Sequence, residues 1–320
     1  MADITGIDGE AIVRAARLLG EGGLVAIPTE TVYGLAADAT NGLGVARIFE
    51  AKGRPRFNPL ICHVSSIAMA ERFVDIDPVS RRLIDAFWPG PLTLVLPLKQ
   101  NATVHPLVTA GLSTLALRMP RGVAAEVIAM LDSPLAAPSA NTSGRISATT
   151  AQAVADDLGA KVDLILDGGL CPVGLESTII KVEGDTISLL RPGGLAAEEI
   201  EALMGKALKR MDQRAAIEAP GMLASHYAPG AAMRLDVREI HPGEALLAFG
   251  PSRARGAENA AHHLNLSETG DLREAAVHLF DYMKRLDATD AALIAVEPIP
   301  HEGLGEAIND RLARAAAPRG

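Results

Sequence analysis

At 320 residues with 48% hydrophobic side chains, the chain carries core material for about two domains, which excludes a disordered polar tail. Thirty Lys and Arg against 39 Asp and Glu leave a net charge of -9, which excludes a general nucleic-acid coat built on phosphate neutralisation. Cys62 and Cys171 are too few for a disulfide framework, and no apolar run approaches the ~18 residues of a membrane span, so a cytoplasmic setting is expected.

In chain order, Asp8 precedes an apolar pattern at Ile12, Val13, Ala16 and Leu19 that ends in Gly20, Gly22 and Gly23, predicting an amphipathic helix with an N-cap and a glycine stop. A buried strand is expected at 24–27. Short apolar runs bounded by turn residues at 60–64, 92–98, 114–118, 135–137, 164–166, 178–182 and 187–190 predict further strands of one sheet. Helical patterns fall between them at 44–51, 78–87, 123–131, 150–158 and 197–204. This irregular alternation predicts an α/β domain with a mixed sheet over 1–205. The chain then turns polar and meets Pro220-Gly221 and Pro229-Gly230, so 206–230 reads as an interdomain linker. Strands at 244–249 and 291–296, with helices at 272–286 and 305–316, predict a smaller α/β domain over 231–320.

Standard nucleotide and nucleophile signatures are absent. There is no Gly-x-x-x-x-Gly-Lys-Ser/Thr and no Gly-x-Ser-x-Gly, and the glycines at 20–23 precede a strand where a Rossmann fingerprint would follow one. His262 and His263 are neighbours in sequence, a spacing that aims their rings apart, so they are expected as a solvated pair rather than as metal ligands.

What stands out instead is a set of polar segments at the ends of expected strands, the usual ligand edge of an open α/β sheet. Pro28-Thr29-Glu30-Thr31-Val32-Tyr33-Gly34 by itself reads as a strand-to-helix turn. Lys52-Gly53-Arg54-Pro55-Arg56-Phe57-Asn58-Pro59 holds three cations between prolines. Arg118 and Arg191 each close a strand, where a planar guanidinium suits a carboxylate or phosphate. Pro138-Ser139-Ala140-Asn141-Thr142-Ser143-Gly144, with Ser147 beyond it, offers hydroxyls and N–H groups to an oxyanion. Anion binding is the common theme, and phosphoryl chemistry needs positioning and charge more than a covalent nucleophile. The residues alone therefore point to an α/β enzyme acting on a phosphorylated or carboxylated small molecule.

In these segments the sequence resembles the YrdC-like family in its longer two-domain form, the threonylcarbamoyl-AMP synthases. The residues that carry the resemblance are the run 28–35, Lys52-Gly-Arg54 with Asn58-Pro59-Leu60, Pro89-Gly90-Pro91-Leu92-Thr93, Arg118-Met-Pro120, Pro138-Ser-Ala-Asn141 with Ser143-Gly144, Glu176-Ser177-Thr178 and Leu190-Arg191-Pro192-Gly193. Pro220-Gly-Met222 through His226-Tyr-Ala-Pro229 looks like the segment leading into the second domain. The resemblance implies a YrdC-like twisted mixed sheet with flanking helices, around a basic cavity, plus a smaller C-terminal α/β domain. It implies conversion of L-threonine, bicarbonate and ATP to L-threonylcarbamoyladenylate and pyrophosphate, the product passing to the threonylcarbamoyltransferase machinery that modifies tRNA.

Carried over by position, Thr31, His63, Arg118, Ala137 and Ser177 are expected around threonine. Lys52 and Arg54 are expected to be catalytic, and Arg54, Asn58, Thr114, Ser139, Ser147, Arg191 and Tyr227 to lie on the ATP side. His63, on a buried strand, reads equally well as a satisfied core histidine. Magnesium is expected with the triphosphate rather than in a protein cage. The apolar and aromatic residues at 222–229 suggest a lid. The alternative, an RNA-binding module of the same fold, is disfavoured by the acidic net charge.

Overall fold

The computed structural model describes residues 3–210, 226–291 and 293–318. Residues 4–210 supply β1 (Ile4–Gly6), β2 (Val25–Ile27), β3 (Gly34–Asp38), β4 (Ile61–His63), β5 (Leu92–Pro97), β6 (Thr114–Arg118), β7 (Leu135–Ala136), β8 (Leu164–Asp167), β9 (Thr178–Glu183), β10 (Thr186–Arg191) and β11 (Lys209–Arg210). They form one 11-stranded sheet in the order β1-β8-β2-β3-β7-β4-β6-β5-β9-β10-β11. Its pairings are mixed: β4 runs parallel to β6 and β5 to β9, while β2 with β3, β5 with β6 and β9 with β10 are antiparallel. A second, all-parallel sheet contains β12 (Ala232–Arg234), β13 (Ala245–Ala248), β14 (His262–Asn265) and β15 (Leu293–Val296) in the order β12-β15-β13-β14.

The helices arise where the sequence places caps. Asp8 accepts from Ala11 N at 2.8 Å to open the helix Gly9–Gly20, and Asp77 caps Pro78–Phe87 through Val79 N and Ser80 N. Gly42–Lys52 ends at Gly53 with φ of 59°, a left-handed exit that β-carbon-bearing residues resist. That exit turns the chain into the cationic loop and leaves Lys52 at the helix end.

Two expectations fail locally. Residues 28–33 do not lead into a helix but form the turn of the antiparallel pair β2–β3. Gly34-Leu-Ala-Ala-Asp38 has weak intrinsic strand preference, yet it is buried throughout and paired on both edges, so tertiary pairing overrides propensity. The edge strands β1, β11, β12 and β14 were also missed, being two to four residues long with mostly exposed or half-buried positions. His262 and His263 lie exposed on β14, and His262 faces Asp290 at 3.1 Å.

The main core packs the helices against the first sheet through residues such as Leu19, Leu35, Ile48, Leu94 and Val127. The second core centres on Leu279, Phe280, Met283, Ile308 and Leu312, and it also takes in Val32, Ile146 and Leu175 of the first unit and Tyr227. One apolar cluster thus crosses the boundary between the two sheets. Of the expected linker, residues 211–225 lie outside the described residues, and with them half of the suggested lid, 222–225.

Candidate active site

Strand register builds the first wall. His63 and Arg118 are Cα partners on the parallel strands β4 and β6, so neighbouring strand ends present both side chains together. Arg118 is buried. It donates from Nη1 to Thr31 Oγ1 at 2.8 Å and from Nε to the Gly90 carbonyl at 3.2 Å. Its Nη2 lies 2.7 Å from Glu30 Oε1, an ion pair without hydrogen-bond alignment, so both atoms lack a hydrogen-bonding partner. Burial, and then the Arg118 charge, hold His63 well below the usual imidazole range, so it is neutral at physiological pH. Ala137 follows β7, its amide tied to the Ile61 carbonyl at 3.0 Å, and it contributes wall.

The opposite wall comes from β9 and β10. Ser177 Oγ is 2.7 Å from Thr93 Oγ1, and the Ser177 carbonyl accepts from Arg191 Nε at 3.2 Å and Nη2 at 2.8 Å. A β-bulge between Leu189 and Arg191 re-aims the arginine at the end of its strand. Gly193 is required where the chain turns back. A β-carbon there would meet the Glu176 carbonyl at 2.3 Å, so only glycine lets the Arg191 loop approach residues 176–178 so closely.

Lys52 donates to the carbonyls of Ser139, at 2.6 Å, and Asn141, and this ties the helix end to the loop 138–144. Burial, with the Arg54 charge, pulls its pKa down to about 7. Arg54 donates to the carbonyls of Asn58 at 3.2 Å and Pro59 at 2.7 Å, so the loop 54–59 closes on its own arginine. Burial, and then the Arg191 charge, pull the Arg54 pKa down to about 10.

These residues enclose a cavity of about 50 Å³, lined among others by Thr31, Arg54, His63, Arg118, Ala137, Ser139, Ser177, Arg191 and Tyr227. Lys52, Asn58 and Ser147 stand behind its wall. Thr114 does not reach it. That residue shares the Arg118 face of β6 but begins the strand, roughly 13 Å away at about 3.3 Å per residue. A larger groove of about 1070 Å³ is also lined by Thr29 and Glu30, and its charged lining is mixed: Arg121 and Arg273 with Glu30, Glu126, Glu199 and Asp271. The clustered cations are in the small cavity, and the chemistry belongs there.

Four participants escaped the sequence reading or entered it without a role: Glu30, Glu176, His226 and Arg311. Glu30 and Glu176 sat inside recognised segments, but a carboxylate's ion-pair partner is set by folding. Glu176 accepts from Ser147 Oγ and from Arg311 Nε at 2.8 Å. Burial pushes its pKa up, but Arg311, Arg191 and Ser147 outweigh that and hold it at about 2. His226 and Tyr227 pack edge to face with centroids 4.1 Å apart, and Tyr227 stacks on Phe280 at 5.5 Å, so both rings are fixed over the cavity. Tyr227 has a φ of 62°, a left-handed backbone rare for an aromatic residue.

Among the described residues, every buried side-chain polar atom without a hydrogen bond belongs to Glu30, Asn58, Arg118, Asn141 or His226. Arg118 and His226 line this cavity, Asn58 and Asn141 belong to the loops that Arg54 and Lys52 tie down beside it, and Glu30 lines the larger groove. Glu30 Oε1 and Arg118 Nη2 already face one another as an ion pair at 2.7 Å, whereas each of the atoms on Asn58, Asn141 and His226 costs about 1–3 kcal/mol unless something arrives to pair with it. That concentration marks a ligand site. No three His, Cys, Asp or Glu side chains gather into a metal-holding group among the described residues.

With this geometry in place, comparison with known proteins identifies the likeness. The Sua5/YciO/YrdC family model, described as telomere recombination, matches residues 17–193, and a model described as the threonylcarbamoyl-AMP synthase C-terminal domain matches 195–317. The threonylcarbamoyl-AMP synthase of Bacillus subtilis is 40% identical over 96% of this chain and 93% of its own length. A crystal structure of Pyrococcus abyssi Sua5 complexed with L-threonine superposes with a TM-score of 0.89 at 38% identity, covering 99% of this chain and 97% of that one. Escherichia coli YciO, 21% identical, matches 60% of this chain with a TM-score of 0.55 and shares the fold of the first domain.

Proposed function

The chain belongs to the two-domain Sua5/YrdC family of threonylcarbamoyl-AMP synthases, and from that premise we propose that it converts L-threonine, bicarbonate and ATP to L-threonylcarbamoyladenylate and pyrophosphate. The observation that carries the reading is the gathering of the buried cations Arg54, Arg118 and Arg191 around one cavity at the strand ends, with His226 Nδ1 there lacking a hydrogen bond. The carbamate of threonine and the triphosphate it attacks are both anions, and buried cations are what their union demands.

In this reading the threonine carboxylate pairs with Arg118, whose Nη2 lacks a hydrogen bond, while Thr31, His63 and Ser177 surround the rest of the molecule. Its neutral amine condenses with bicarbonate to give a carbamate and water. A carbamate oxygen then attacks the α-phosphorus of ATP as the bond to the bridging oxygen breaks and pyrophosphate leaves with its electron pair. Arg54, Arg191 and Lys52 offset the charge that builds on the phosphates, and Ser139, Ser147 and Asn58 orient them. A triphosphate does not fit in about 50 Å³, so the site has to enlarge to admit it. Thr114, further along the same face of β6, is placed to meet only an extended ligand. Magnesium would enter with the triphosphate and offset part of its charge.

The product is a labile mixed anhydride, suited to immediate use by the threonylcarbamoyltransferase machinery that modifies tRNA, and a cytoplasmic setting goes with that use. No described helix is long and apolar enough to cross a membrane. Isotopically labelled bicarbonate, incubated with enzyme, threonine and ATP, should place its carbon in an adenylate seen by mass spectrometry. Label confined to free bicarbonate would refute the reading.

A further inference from the structure

Arg311 is the largest fully buried side chain among the described residues, and it comes from the domain that does not hold the cavity. It projects from the helix Leu304–Ala316 into the first domain. There its Nε donates to Glu176 Oε2 at 2.8 Å and its Nη2 to the Pro192 carbonyl at 3.0 Å, while Nη1 holds Asp310 at 2.6 Å. The guanidinium also lies 5.0 Å from the centroid of the Tyr227 ring. One planar fork thus touches a carboxylate, a carbonyl and an aromatic face belonging to three segments around the cavity, which a lysine cannot do.

Glu176 is the reason this matters. It lines the cavity together with Arg191, close enough for each charge to influence the other. A buried carboxylate must be neutralised, and among the described residues Arg311 and then Arg191 act most strongly on it. With Arg311 in place, the second domain supplies the counter-charge, and Arg191 remains on the Ser177 carbonyl at the cavity wall. With Arg311 removed, Arg191 becomes the guanidinium that acts most strongly on Glu176 and is drawn away from the ligand. We propose that Arg311 is a positioning residue for the triphosphate: by neutralising Glu176 from the second domain, it keeps Arg191 directed at ATP. This inference rests on the assignment of Arg191 to the ATP side.

The test combines titration calorimetry with magnesium-ATP and steady-state pyrophosphate release on the full chain. Arg311→Met, which keeps length and apolar bulk, should weaken ATP binding and raise its KM at least tenfold, with the KM for threonine within twofold of wild type. Arg311→Lys should recover only part of the loss. Glu176→Gln combined with Arg311→Met removes the carboxylate that would capture Arg191, and should return ATP affinity to within about threefold. A folded Arg311→Met protein with wild-type ATP affinity would overturn the inference, and so would a folded double variant that binds ATP as weakly as Arg311→Met. If Arg311→Met alone does not fold, the double variant compared with Glu176→Gln decides: equal ATP affinity supports the inference and a tenfold gap overturns it. Failure of the wild type itself to bind ATP would instead overturn the functional reading.

Discussion

Arg118 and His63 stand side by side as Cα partners on parallel strands and present one charged and one neutral nitrogen group to the same cavity. The pocket therefore offers a cation to one carboxylate, with an uncharged imidazole beside it. Burial and the Arg118 charge together keep that imidazole neutral.

Removing the cation should be felt by threonine first. Arg118→Ala should cost on the order of 2–5 kcal/mol of threonine affinity, as expected for one partner of a buried charged pair, with ATP affinity changed much less. Arg118→Lys should restore part of it, because a point charge keeps the attraction and loses the fork. Calorimetry with each ligand reads both effects, and unchanged threonine affinity in the Ala variant would remove Arg118 from the pocket.

Much of this wall was legible in the sequence, because a cation closing an apolar run is a local signal: Arg118 and Arg191 both end their strands as expected. Lys52 and Arg54 were legible for the same reason, packed with prolines in one short loop. Arg311 was not. It lies on the buried face of its helix beside Ala307, Ile308 and Ala315, but an arginine is expected at the surface by residue type, and its partner Glu176 is met only through folding. His226 was likewise hidden, since its neighbours Tyr227 and Phe280 come together from segments more than fifty residues apart in the chain. Residues 34–38 misled for a different reason: glycine and alanine carry little strand preference, and pairing on both edges decided their form.

Lys52 gives a pH signature. With a pKa of about 7 in the unliganded protein, its ammonium is present below neutrality and lost above it. The advantage of wild type over Lys52→Met in ATP affinity should therefore be larger at pH 6 than at pH 8.5. Taking the difference between the two proteins cancels the titration of ATP itself. An advantage that stays constant across this range would contradict the placement of Lys52 beside the phosphates.

Stability should fall on the acid side of neutrality. His226 is held at about 3 by burial, and His63 also lies well below its ordinary value, whereas in the unfolded chain both take up protons as the pH drops through about 6.5. The unfolded state then binds more protons than the folded one, so the melting temperature should decline between pH 7.5 and 5. His226→Asn should flatten part of that decline. Identical slopes for the two proteins would show that His226 is not buried neutral.

Gly193→Ala tests the close approach that seats Arg191. The added carbon would meet the Glu176 carbonyl at 2.3 Å, and the backbone offers no flexible neighbour to give way. The variant should lose about 1–3 kcal/mol of stability, the usual cost of overpacking, and bind ATP more weakly than threonine suffers. A variant with wild-type melting temperature and ATP affinity would contradict the packing described for that turn.

The most direct measurement is pyrophosphate release by the purified protein, with each substrate omitted in turn. The account predicts release from ATP with magnesium only when L-threonine and bicarbonate are both present, and loss of that release in Arg118→Ala at threonine concentrations that saturate the wild type. Equal release with threonine or bicarbonate left out would contradict it.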